Sequence, residues 1–64
     1  MDFRDQVFLS VTENLSFSKA SKELFISQPA VTNHIKELEN KLDTRLFERK
    51  GNKIYLTNSG ELVY

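Results

Sequence analysis

Side chains able to recognise another molecule are concentrated in the middle of this 64-residue sequence. Gln28 and Asn33 each carry a carboxamide, a donor beside an acceptor, matching the pair that adenine shows in the major groove of DNA. Pro29, Thr32 and Lys36 lie on the same stretch, and Ser16, Ser18 and Ser27 precede it or open it with hydroxyls. Arg49, Lys50, Asn52 and Lys53 follow in one short run. Phosphate oxygens suit such a set, because hydroxyls and free N–H groups at helix starts donate to them and cations neutralise them. Catalytic chemistry finds no comparable set. There is no Cys, one His, no Gly-rich phosphate loop and no carboxylate pair facing a predicted cleft. No catalytic, cofactor-binding or metal-ligating residue is therefore expected.

The element that must hold the amides is a helix over Ser27–Leu42. Ser27 suits the N-cap, and Pro29 falls in the first turn, where its missing N–H costs nothing. Val31, Ile35, Leu38 and Leu42 recur at i, i+4, i+7 and i+11, an apolar stripe at helical period. The opposite face carries Pro29, Asn33, Lys36 and Asn40, with Gln28 and Thr32 beside it. Packing does not require uncharged hydrogen-bonding groups on that face, whereas base edges do. Taken alone, the same groups also read as ordinary solvated surface. His34 flanks the stripe and reads as a packing residue.

Upstream, a helix over Asp2–Glu13 turns Phe3, Val7, Phe8 and Val11 inward and keeps Asp2 and Asp5 near its positive end. Leu9 lies off that stripe, either partly exposed or against a partner subunit. In the break from Asn14 to Ser18, Asn14 suits a left-handed helix end, Leu15 and Phe17 suit inward packing, and Ser16 or Ser18 suits a cap. A short helix over Ser18–Phe25 follows, with Ala20 and Leu24 inward and small Ser21 beside them for a close crossing. The turn Phe25–Ser27 is anchored by Ile26.

Beyond Leu42 the period changes. Asp43–Thr44 ends the helix, and Leu46–Arg49 and Ile54–Leu56 have strand character, with the Tyr55 ring outward. Between them Lys50–Lys53 forms a turn in which Gly51 and Asn52 both accept positive φ. The result is a small hairpin with a cationic tip. Thr57 caps a last helix, without a capping box because Gly60 stands at its third position. So short a helix is marginal alone, and the chain is expected to be a piece of a longer one.

The length bounds this to one small domain near the lower limit for a self-supporting core. Without Cys, neither disulfides nor thiolate metal sites can support it. Stability must come from helix packing, a partner chain or further protein. No apolar run approaches membrane length, and Met1 is followed by charged residues rather than a signal peptide. Nine cations balance nine acids, and that neutrality tells against nucleic-acid binding. The charge is uneven, however. From Asp43 to Leu56, Arg45, Arg49, Lys50 and Lys53 face only Asp43 and Glu48, and phosphate contact needs a local patch rather than a basic protein.

Helix, helix, tight turn, helix, hairpin and helix is the order of a mainly α winged helix-turn-helix. The expected division is a DNA-binding domain over 1–57 and the start of a last helix over 58–64. Gln28–Lys41 would lie in the major groove, with Gln28, Pro29, Thr32, Asn33 and Lys36 as candidate base contacts. The wing Lys50–Lys53 would reach backbone or minor groove. Ser16, Ser18, Ser27, Arg49, Lys50, Asn52 and Lys53 are the candidate backbone contacts.

The stretch SFSKASKELFISQPAVTNHIKELENKLDTRLFERKGNKIYLTNSG resembles the N-terminal DNA-binding domain of LysR-type transcriptional regulators, and the likeness covers essentially the whole chain. Its most specific parts are SQPAV followed by Ile35, LE at Leu38–Glu39, LFER at Leu46–Arg49 and LTxxG at Leu56–Gly60. The resemblance implies base contact by Gln28, Pro29, Thr32 and Asn33. It implies backbone contact around Ser16, Ser18 and Ser27, and minor-groove or phosphate contact at Asn52 and Lys53. It also implies a cytoplasmic, nucleoid-associated homodimer on double-stranded DNA, joined through a linker helix that this last helix begins. A small-molecule effector would act through a C-terminal domain that this chain lacks. Asp43 stands where the family usually has Gly, Ser21 where it usually has Ala, and Asn33 where a longer polar side chain is common. The competing expectation, supported by the zero net charge, is a winged-helix interaction or dimerisation module without DNA binding.

Overall fold

The computed structural model describes residues 2–64. Helices α1 (Phe3–Asn14), α2 (Phe17–Leu24) and α3 (Gln28–Leu42) precede strands β1 (Phe47–Lys50) and β2 (Lys53–Leu56) and helix α4 (Asn58–Val63). The three long helices pack pairwise, the strands form an antiparallel hairpin, and α4 rests against β2. The winged helix-turn-helix order read from the sequence is the architecture observed.

Local chemistry sets each helix start. Asp2 accepts the Arg4 N–H at 2.8 Å while Asp5 accepts the Asp2 N–H at 3.2 Å, a reciprocal capping box. Arg4 donates from its guanidinium to Asp2 at 2.9 Å, and this bond holds the exposed Asp2 carboxyl down at a pKa of about 2. Ser16, rather than Ser18, caps α2, accepting the Lys19 N–H at 3.0 Å. The helix therefore begins one residue earlier than expected. Ser27 caps α3 through the Ala30 N–H at 3.2 Å, and Thr57 caps α4 through Gly60 at 2.9 Å.

The core joins Val7, Phe8 and Val11 of α1, Ala20 of α2, Val31, Ile35 and Leu38 of α3, and Leu46, Phe47 and Ile54 of the hairpin region. Phe17, Leu24, Ile26 and Leu56 pack partly buried against it. Three expected core members lie outside. Phe3 and Leu42 are 41% and 42% exposed because each stands at a helix end beyond the crossing of the three helices. Leu15 is half exposed because it, not Asn14, takes the left-handed position, with φ 48°. Asn14 instead donates its amide to the Ser10 carbonyl at 2.9 Å and to the Glu23 carboxylate at 2.6 Å, tying α1 to α2. Glu23 also accepts the Ser10 hydroxyl at 2.8 Å, and the two bonds, Asn14's first, lower its pKa.

Phe25 and Asp43 close α2 and α3 in the left-handed region, with φ 58° and 54°. In each case the next N–H reaches back, Ile26 to Ser21 at 3.1 Å and Thr44 to Glu39 at 3.0 Å. Asp43, at the position where Gly is usual, thus ends α3 in the left-handed conformation, which Asp tolerates better than most residues. The 25–27 turn does hold Ile26 against the core, but Phe25 lies outside α2 and its ring is 94% exposed.

In the hairpin Phe47 faces Leu56 and Lys50 faces Lys53. Only Gly51 takes positive φ, 63°; Asn52 does not. A two-residue turn closed by the Lys50–Lys53 pair needs it only at its first position in the II′ pattern. Phe47 seats the wing, with its ring 5.5 Å from Phe8 and edge-on to Phe17 at 6.0 Å. Glu39 fixes the approach to β1 by accepting the Leu46 N–H at 2.8 Å. Gly60 lies so close to the Leu46 carbonyl oxygen and the Leu56 side chain that a Cβ there would overlap both.

Candidate nucleic-acid interface

Burying Val31, Ile35 and Leu38 rotates the other face of α3 outward. Gln28, Pro29 and Asn33 are exposed, Thr32 is half-buried, and these four line one shallow concavity at the N-terminal half of the helix. The structure thereby brings together four of the five expected base-contacting residues. Lys36 is exposed but sits one turn on, in a groove between α3 and the hairpin that it shares with Thr32, Arg45 and Arg49. Thr32 belongs to both surfaces and joins them.

The hydroxyls are part of the helix starts. Ser16 and Ser27 each use the oxygen to accept a backbone N–H, which leaves the O–H free to donate. Ser18 lies exposed in the first turn of α2, where backbone N–H groups have no partner within the helix.

On the wing, Glu48, Arg49, Lys50, Gly51, Asn52 and Lys53 are all exposed. Lys50 and Lys53 are direct cross-strand partners, an arrangement that like charge disfavours and that the fold does not need. Arg49 is held differently, its guanidinium over the Phe17 ring at 5.6 Å from the centroid. Lys50 and Lys53 thus stand side by side at the wing tip, while Arg49 alternates to the face that carries Phe47 and Ile54.

Arg45 belongs to the basic run of the sequence but not to the candidate contacts, and the structure brings it into the groove with Lys36 and Arg49. Its position after a helix end gave no periodicity to read, and only the local excess of cations signalled it. His34 packs as expected, edge-on to Phe3 at 5.2 Å. Its Nδ1 is buried without a hydrogen-bond partner, 3.8 Å from Glu37. Tyr55 keeps its ring substantially exposed.

A family model described as bacterial regulatory helix-turn-helix protein, lysR family, matches residues 5–61. The HTH-type transcriptional regulator CitR of Bacillus subtilis is 46% identical over 61 residues, covering 94% of this chain and 21% of CitR. A transcriptional regulator of the LysR family from Eggerthella lenta superposes with a TM-score of 0.93 at 40% identity, covering 98% of this chain and 90% of that one. The BenM DNA-binding domain in complex with benA site 1 DNA superposes with a TM-score of 0.92 at 34% identity, covering all of this chain and 73% of that one. The chain spans about a fifth of the length of the curated relatives it matches.

Proposed function

We propose that this chain, which belongs to the lysR family of bacterial regulatory helix-turn-helix proteins, binds double-stranded DNA sequence-specifically within a transcriptional regulator. The observation that carries the reading is the Gln28–Pro29–Thr32–Asn33 concavity, continuous through Thr32 with a cation-lined groove. Amides and a hydroxyl at the exposed start of a helix are what base edges require, and cations to one side are what the flanking phosphates require. In this reading α3 lies in the major groove, with Gln28, Pro29, Thr32, Asn33 and Lys36 on base edges. Ser16, Ser18 and Ser27 meet phosphate at the helix starts. Arg49, Lys50, Asn52 and Lys53 meet backbone or the adjacent minor groove. The activity is recognition, not catalysis.

The working unit is a homodimer on a pseudo-palindromic site, joined through the helix that α4 begins. Leu62, Val63 and Tyr64 are exposed there, and Val63 and Tyr64 border a shallow apolar surface with Phe8 and Leu9 of α1. That surface supports the partner-facing reading of Leu9. An effector would act through protein outside this chain, in the cytoplasm and on the nucleoid.

Selection of bound duplexes from a random pool tests this. Enrichment of a two-fold symmetric motif is the expected result, and equal affinity for the enriched and scrambled duplexes removes the specificity. The second reading, an interaction module without DNA binding, rests on the balance of nine cations and nine acids. It predicts a defined oligomer in sedimentation and no duplex binding even at low salt.

A further inference from the structure

Helix α3 and the hairpin leave between them a groove lined by the buried Ile35, Phe47 and Ile54 and bordered by Lys36, Arg45 and Arg49. We infer that this groove seats one backbone phosphate of the duplex and that Arg45 is a direct ligand of it. The inference rests on the DNA-binding reading above.

Arg45 is pinned where it stands. Its carbonyl oxygen accepts the Thr57 hydroxyl at 2.6 Å. The next residue, Leu46, is fully buried, gives its N–H to Glu39 at 2.8 Å and accepts the Thr57 N–H at 3.0 Å. A backbone tied on both sides carries an exposed guanidinium that, among the described residues, has no carboxylate within ion-pairing distance. A phosphate is the partner a guanidinium fork matches.

Its neighbours support the same ligand. Arg49 rests over Phe17, and Phe17 is itself edge-on to the buried Phe47, so this second cation is held in advance rather than free in solvent. Lys36 supplies a third from α3. Two acids also border the groove, but Glu39 is committed to the Leu46 N–H, and Glu48 is exposed among Arg45, Arg49 and Lys50. Placement supplies the remaining reason. If α3 occupies a major groove and the wing reaches the adjacent minor groove, the phosphate strand dividing them passes through the interval in which Arg45 sits.

Fluorescence anisotropy with a labelled duplex of mixed sequence tests this, since a phosphate contact is independent of base sequence. The affinity of the longer dimeric protein that carries this chain is measured across about 50–200 mM salt, as wild type and as Arg45→Ala, Arg45→Gln and Arg45→Lys, and thermal melts establish that each variant folds. Arg45→Ala should bind several-fold more weakly at the low-salt end and lower the slope of log K against log salt by about 0.9, one phosphate's worth. Arg45→Gln should do the same, and serves should the alanine variant not fold, while Arg45→Lys should keep the wild-type slope. An unchanged slope in folded Arg45→Ala or Arg45→Gln overturns the contact, and so does a slope in Arg45→Lys reduced as far as in Arg45→Ala. Absence of binding by the wild-type dimeric protein at the low-salt end would instead overturn the DNA-binding reading itself.

Discussion

Gln28 and Asn33 are free of competing partners inside the fold, since neither caps a helix nor enters a side-chain bond among the described residues. Their amides are therefore available in full to a base edge. Gln28→Ala and Asn33→Ala should each reduce discrimination between the selected site and its single-base variants by about 1–3 kcal/mol if the contact is bidentate. Competition titrations check this, and parallel weakening toward every sequence would show phosphate contact instead. At the other end of the molecule, Asp2 is an acid whose bond to Arg4 lowers its pKa from 3.8 to about 2. A carboxyl depressed on folding contributes stability that is complete above its unfolded value and is lost as pH falls through the folded one. The melting temperature should thus decline between about pH 4 and pH 2, and Asp2→Asn, which retains a capping side chain, should flatten that decline. Melts at stepped pH read it directly.

Among the elements, the wing depends most on contacts distant in sequence. Its strands are four residues each, too short to persist as an isolated hairpin. What holds them is Phe47 between Phe8 and Phe17, Ile54 buried in the core, and α4 docked on β2 through Gly60. Gly60→Ala forces a methyl group against the Leu46 carbonyl oxygen, a backbone atom that Thr57 also uses. The expected loss is about 1–3 kcal/mol of folding stability in urea titration, in the range of overpacked sites. Full stability in this variant would mean that α4 can shift away without cost. The periodic helices were legible in the sequence because a half-buried helix repeats its apolar residues. Their ends were less so. Leu15, expected to pack inward, takes the left-handed end expected of Asn14, whose amide is claimed by Glu23 on another helix.

For the molecule as a whole, zero net charge means that affinity for DNA cannot arise from a general positive field. On the proposed reading it comes from the local cations of the groove and the wing and from the second copy of a dimer. Lys53→Ala at the wing should weaken binding to all duplexes alike and lower the salt slope by about 1, with base preference unchanged. Altered base preference in this variant would place Lys53 on a base edge instead.

The architecture, the family and most of the candidate residues were readable from local pattern. Apolar period, capping hydroxyls, the Gly51 turn and the spacing of SQPAV, LFER and LTxxG are properties of neighbouring residues, and such properties survive in a linear string. Packing across elements settled what remained. It left Phe3, Leu15 and Leu42 outside the core, parked Arg49 on Phe17, separated Lys36 from the other candidate base contacts and brought Arg45 beside it. Each of these depends on which helix or strand stands opposite, and a side chain's partner across the fold is not encoded in its own neighbourhood.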